Sequence, residues 1–280
     1  MQHTLINYIN INGISSEYLS VMDRGLHYGD GLFETIACIE GKPQFWNEHI
    51  ERMRLGAKKL GIEFSAIENF QYDVLSMLQE HSVSNCVIKL MLTRGQGERG
   101  YRSSSAQKVT RIVVLSDLPQ YPDDYMNQGI KVCLCHHPVS NNSRLAGIKH
   151  LNRLDNVLAR NEWQNEYQEG LMLDESSDII EGTMSNVFAV KNNQLHTPSL
   201  SLSGVNGIIR DQVLSIAQEQ GIEVYVSEIK KEELKNMDEI FVCNSIIGIW
   251  PVNSINEINY QVGPVTKKVS QLLQQRIYSQ

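Results

Sequence analysis

The chain has 280 residues, 41% hydrophobic and 20% charged, with a formal net charge of −7. That length suits two domains, and the composition suits a folded globular protein rather than a disordered one. A net acidic chain lacks the basic face that a phosphate backbone requires, so no nucleic-acid partner is expected. Apolar runs such as Ile246–Trp250 fall far short of the ~20 residues that span a bilayer. Met1–Asn7 lacks the basic and apolar regions of a secretory signal. A cytoplasmic protein with no membrane partner is the expectation. The cysteines, Cys38, Cys86, Cys133, Cys135 and Cys243, contain no C-x-x-C pair, which argues against a disulfide framework or a zinc ribbon. Cys133-Leu134-Cys135-His136-His137 is rich in metal-ligand types, yet at period two it reads as a buried strand, and no metal is expected.

In chain order, Leu5–Ile11 alternates as a strand and meets the hairpin signal Asn12-Gly13. Leu32–Ile39 is a second strand, turning at Glu40–Pro43 and returning as Gln44–Trp46. Asn47 is the expected N-cap of a helix to Leu60, with a seam of Ile50, Met53, Ala57 and Leu60 and a stop at Gly61. Arg52 falls off that seam and is expected to point outward to a ligand. A helix over Ile67–His81 and strands over Cys86–Thr93 and Val109–Leu115 follow. Pro119 and Pro122 mark a linker in the polar stretch Ser116–Met126. Beyond it come a strand at Ile130–His136, a helix over Leu151–Gln168, strands at Leu171–Leu173, Val187–Val190 and Val224–Val226, and a helix over Gly207–Gln220.

Gly95-Gln96-Gly97-Glu98-Arg99-Gly100 satisfies G-x-G-x-x-G, but Tyr101–Ser105 is poor material for opening a helix and no βαβ unit continues. A dinucleotide site is therefore rejected. The loop could instead present Arg94, Arg99 and Arg102 to an anionic ligand, or be a solvated hairpin tip. Lys149 sits between a polar loop and an apolar segment, where desolvation would suit it to Schiff-base chemistry; the bland alternative is a snorkelling lysine at a helix start. Glu181 follows the apolar pair Ile179-Ile180 and is either a buried carboxylate or an exposed loop acid. Gly204–Arg210 is a turn running into a helix, whose N-terminus can hold an anion. A reactive lysine, a carboxylate, an anion cradle and basic anchors are together what pyridoxal phosphate needs.

The blocks Asp23-Arg24-Gly25, Tyr28–Thr35, His49–Met53, Thr93–Tyr101, Lys149–Leu154, Glu181–Phe188, Gly204–Arg210, Cys243–Ser245 and Pro251-Val252 resemble the fold-type IV pyridoxal-phosphate enzymes, the class IV aminotransferase family. The resemblance runs over nearly the whole chain. It implies an α+β, two-domain fold like that of the D-amino-acid aminotransferases, with the cofactor in the interdomain cleft. The domains would be 1–117 and 128–280, joined by a linker at 118–127, with the lysine in the second. The implied cofactor is pyridoxal 5′-phosphate, with Lys149 as its Schiff-base lysine and catalytic base and Glu181 at the pyridinium nitrogen. Arg52, Ile208, Ile209 and Ser245 would hold the phosphate, with Asn206 and Asn244 also cofactor-binding. Phe33, Arg99 and Tyr101 would bind substrate. A homodimer acting on a small molecule is implied. Within the family, Lys149–Ala159 and Gly204–Gly207 look like the branch that converts aminodeoxychorismate to 4-aminobenzoate and pyruvate. A D-amino-acid or branched-chain aminotransferase is the alternative, although Tyr101 stands where the former carries a histidine. A non-catalytic ligand-binding protein on this scaffold is the distant one.

Overall fold

A computed structural model describes residues 8–63, 67–103 and 108–279. The expected strand positions Leu5–Asn7 and the loop residues Ser104 and Ser105 lie outside them. The chain forms two compact units: Met1–Pro119 with Ile148–Asn152, and Gln120–Gly147 with Arg153–Ser279, apart from the last residue.

The first unit is built on strands β1 (Tyr8–Ile11), β2 (Ile14–Ser15), β3 (Gly31–Ile39), β4 (Lys42–Pro43), β5 (Cys86–Thr93) and β6 (Thr110–Ser116). They form an antiparallel sheet in the order β2-β1-β6-β5-β3-β4. Its helices are α1 (Arg24–Tyr28), α2 (Trp46–Leu60) and α3 (Ile67–Glu80). Asn12 and Gly13 turn the β1–β2 hairpin with φ of 55° and 86°, the left-handed pair that an Asn-Gly turn supplies. The return strand β4 falls on Lys42–Pro43, residues expected in the turn, and none of Gln44–Trp46 is strand: Phe45 leaves extended geometry for φ 51° and buries its ring, and Trp46 opens α2. Phe45, not Asn47, is therefore the N-cap of α2. The stop at Gly61 is as expected, with φ 64°. The seam is shifted: His49 and Gly56, rather than Ile50 and Leu60, join Met53 and Ala57 on the buried face.

The second unit contains β7 (Ile130–Leu134), β8 (Glu169–Leu173), β9 (Ile179–Gly182), β10 (Asn186–Lys191), β11 (Gln194–Pro198), β12 (Val224–Ser227), β13 (Glu239–Asn244), β14 (Gly248–Ile255) and β15 (Ile258–Asn259). Their order is β12-β11-β10-β13-β14-β7-β8-β9, with β15 on β14. The helices are α4 (Asp124–Asn127), α5 (Leu154–Arg160), α6 (Ile208–Glu219) and α7 (Pro264–Tyr278). Both faces of β7 are covered: Ile130 and Val132 pack with Trp250, while Cys133 and Cys135 pack with Trp163 and Met172. The expected helix over Leu151–Gln168 shrinks to α5. The Leu151 N–H is taken by Gly31 O, and beyond Asn161 the Glu162 carboxylate accepts the N–H groups of His136 and His137.

Glu169, 1% exposed, organises the turn after β9. Its carboxylate accepts the N–H groups of Gly170, Thr183 and Met184 and the hydroxyls of Thr183 and Ser185, at 2.6–3.3 Å. Glu169→Leu removes all of these acceptors and leaves buried donors unmatched, which should cost about 2–4 kcal/mol. Urea unfolding of the two proteins measures the loss.

Candidate functional site

In the first unit the site begins with a short piece of strand addition. β4 pairs only with Cys38 and Ile39, at the far end of β3, so the edge of Gly31–Phe33 stays open on that side. Lys149–Leu151 occupies it. The Phe33 N–H donates to the Lys149 carbonyl at 2.9 Å, the Leu151 N–H donates to Gly31 O at 3.0 Å, and Leu32 bridges to His150. Lys149 was expected in the C-terminal domain, between a polar loop and a helix; it groups instead with the first unit, on the segment that bonds to β3. Its Nζ stands 4.6 Å from the centroid of the Phe33 ring, with Lys89 Nζ at 5.5 Å from the same ring. An aromatic face attracts a cation with about 0.5–2 kcal/mol, so Phe33 restrains the amine.

The next residue of β3 is Glu34, 1% exposed. His49 and Arg52 share one face of α2, being three residues apart, and both turn onto this carboxylate. His49 Nδ1 is 2.6 Å from Glu34 Oε2, Arg52 Nε donates to Oε1 at 2.9 Å, and Arg52 Nη2 donates to Oε2. Arg52 thus lies against Glu34, with 11% side-chain exposure, instead of pointing outward from its helix. Burial pushes the Glu34 carboxyl upward, but the Arg52 charge and the His49 bond outweigh it and hold the group down to about 2. Burial pushes the His49 imidazole below its ordinary value, against the opposing pull of Glu34. Glu34 and His49 had not been singled out as site residues. The shift of the α2 seam, which puts a histidine where an aliphatic was expected, is the signal that could have found them.

The loop after β5 divides by role. Arg94 was expected to face an anionic ligand; it binds Asp30 through Nε and Nη2 and caps α2 through Leu60 O and Gly61 O. Arg24 binds the same Asp30 and donates to Gly100 O and Tyr101 O, both at 2.9 Å. Arg99 and Tyr101 remain exposed, the Tyr101 ring leaning on Tyr28 at 5.3 Å.

In the second unit, Glu181 on β9 is buried, and one carboxylate oxygen accepts the Val205 N–H at 2.8 Å. The turn that supplies this donor is pinned by its neighbours: the Asn206 N–H donates to Gly147 O at 3.1 Å, and Arg210 Nη1 donates to Asn206 Oδ1 at 3.0 Å. A Cβ on Gly207 would stand 1.9 Å from Asn186 Oδ1, so any other residue there would displace the Asn186 amide from its bond to Val205 O. α6 opens directly after Gly207 with no side-chain cap, and the first N–H groups of a helix have no intrahelical acceptor. Ile208 and Ile209 stand at that end, their side chains buried. Arg210 is also buried, donates to Pro198 O and Asn206 Oδ1, and is pushed down by burial; the sequence reading assigned it nothing. Asn244 was expected to touch the cofactor. Its Oδ1 accepts the N–H groups of Ile246 and Ile247 and its Nδ2 donates to Met184 O, so its amide shapes the turn that carries Ser245.

These residues supply a primary amine on an aromatic ring, a buried carboxylate and an uncapped helix N-terminus. The Amino-transferase class IV family model matches residues 31–255. The chain belongs to that family. It is 32% identical to an aminodeoxychorismate lyase of Vibrio harveyi over 265 residues, 92% of this chain and 97% of the other. It is 34% identical to a candidate branched-chain-amino-acid aminotransferase of Methanocaldococcus jannaschii over 260 residues, covering 90% and 89% of the two chains. A crystal structure of 4-amino-4-deoxychorismate lyase from Pseudomonas aeruginosa superposes with a TM-score of 0.91 at 37% identity, covering 95% of this chain and 98% of that one. The class IV fold is a mixed α+β fold, and its enzymes use pyridoxal 5′-phosphate. Unit by unit, the donor types fit that group: the first offers an amine suited to its aldehyde and a guanidinium suited to its phosphate, and the second a carboxylate suited to its ring nitrogen and helix N–H groups suited to its phosphate.

The ionised Glu34 contributes stability that is present above its unfolded value of 4.5 and lost as pH falls through about 2. The stability difference between the wild type and Glu34→Gln should therefore shrink as pH is lowered from 4.5 towards 2. Denaturant titrations of both proteins across that window check the sign.

Proposed function

We propose that this chain is a pyridoxal-phosphate-dependent lyase that converts 4-amino-4-deoxychorismate to 4-aminobenzoate and pyruvate. The observation that carries this reading is the likeness to the Pseudomonas aeruginosa lyase over 95% of the chain. The Vibrio harveyi lyase, similar over 92% of the chain, supports it. When bound, the cofactor supplies an electron sink for the pair left as a substrate C–H bond breaks.

The chain's own residues take the remaining roles. Lys149 holds the cofactor at rest. Released by the incoming substrate amine, its Nζ removes the proton from the amine-bearing ring carbon as a general base. Loss of the neighbouring enolpyruvyl oxygen aromatises the ring, which drives the cleavage, and protonation of the departing fragment gives pyruvate. Glu181, whose carboxylate is positioned by the Val205 N–H, would face the pyridine nitrogen and favour its protonated form. Arg52, Ser245 and the backbone of Ile208 and Ile209 hold the phosphate, while Asn206 and Asn244 shape the turns beside it. Phe33 borders the amine, and Arg99 and Tyr101 anchor the substrate's carboxylates. The enzyme works as a cytoplasmic homodimer.

The Methanocaldococcus jannaschii relative, at 34% identity, favours a second reading, that of an aminotransferase. Incubation with aminodeoxychorismate and separation of the products decides between them. The lyase releases 4-aminobenzoate and pyruvate in equal amounts with no amino acceptor, whereas an aminotransferase converts its cofactor to the aminated form with a simple amino acid and makes no 4-aminobenzoate.

Lys149→Ala should abolish turnover together with the borohydride-sensitive visible band of the bound cofactor; absorption spectra before and after reduction check it. Arg99→Ala should cost about 1–3 kcal/mol of substrate binding, roughly ten- to a hundredfold in KM, with a normal cofactor spectrum. Arg99→Lys should recover only part of this, because the two-pronged guanidinium contact is lost.

A further inference from the structure

We propose that Glu34 is a positioning residue for the cofactor phosphate: by binding Arg52 through both carboxylate oxygens, it sets the plane in which the guanidinium meets that phosphate. The inference rests on the reading of Arg52 as a phosphate ligand and adds a residue that would act through Arg52.

Three observations carry it. Arg52 uses Nε and Nη2 on Oε1 and Oε2 of the same carboxylate, the two-pronged arrangement that fixes a guanidinium plane rather than merely its distance. Glu34 is itself held from a second direction by His49 Nδ1 at 2.6 Å, so the carboxylate cannot swing with the arginine. The whole group sits at one end of the edge that receives Lys149, because Glu34 directly follows Phe33, whose N–H bonds the Lys149 carbonyl. Residues 33 and 34 of one rigid strand therefore reference both the amine and the guanidinium. Stability alone, to which the ionised Glu34 does contribute, is an incomplete explanation, since it asks for a partner to Arg52 and sets no orientation of the guanidinium towards a ligand. A simple attraction for phosphate is a worse one, because an anion at this position opposes a second anion nearby. Orientation is the role that remains.

The test compares the affinity of the apoenzyme for pyridoxal 5′-phosphate with that for pyridoxal, which lacks the phosphate; the ratio isolates the phosphate contact from general damage to the site. Both affinities are read from the absorption of the bound group. Arg52→Ala should lower the ratio ten- to a hundredfold, and Glu34→Gln should lower it at least fivefold while pyridoxal binding stays within twofold. A ratio that is unchanged or raised in Glu34→Gln, with Arg52→Ala lowered, overturns the positioning role and leaves the phosphate reading intact. An unchanged ratio in Arg52→Ala overturns both. Arg52→Lys gives the answer without touching Glu34. It keeps the charge but cannot bridge the two oxygens, so it should lose most of what Arg52→Ala loses; a ratio near that of the wild type would show that charge alone suffices and overturn the inference.

Discussion

The arrangement depends on one unpaired stretch of sheet edge. Because β4 is only two residues long, β3 presents free backbone groups at Gly31–Phe33, and the chain returns from the second unit for five residues to bond there. Unpaired backbone groups on a strand edge seek partners, and here the partner is the segment carrying Lys149. The lysine is thereby placed by main-chain hydrogen bonds, which the side chains of neighbouring residues disturb little. Its amine meets the Phe33 ring, and Glu34 on the same strand gathers His49 and Arg52.

The second unit achieves a comparable result with turns rather than edges. Glu181, the Gly204–Gly207 turn and the start of α6 are joined by backbone donors and by the buried Arg210 guanidinium. Glu169 holds the turn after β9 in the same way, as an acceptor for many donors at once. Each unit thus supports its functional side chains with groups that are already bonded within the fold, the condition under which a polar site stays preorganised.

Much of this was legible in the residues, and the failures have physical causes. Gly61, the Asn12-Gly13 turn and α6 were readable because a helix stop, a type I′ hairpin and an amphipathic seam each leave a local signature. β11, β13, β14 and α7 left none that was read; the β14 segment Gly248-Ile249-Trp250 is apolar throughout, as a strand covered on both faces must be. The pairing of Lys149–Leu151 is set by a strand over a hundred residues earlier, so local pattern suggested a helix from Leu151 instead. Arg94 shows the limit of residue type as a guide: an arginine in a glycine-rich loop suits a ligand anion, but Asp30 and the end of α2 claimed it. The family motifs located Glu34, His49 and Arg52 as one constellation of blocks without revealing that they bond to one another.

The proposed attachment of pyridoxal 5′-phosphate to Lys149 can be read directly. The most direct measurement is borohydride reduction of the holoenzyme, proteolysis and mass spectrometry of the modified peptide. The account predicts a single phosphopyridoxyl group on the peptide spanning Ile148–Arg153, at Lys149. Attachment at Lys89, whose amine shares the Phe33 ring, or at any other lysine would contradict it.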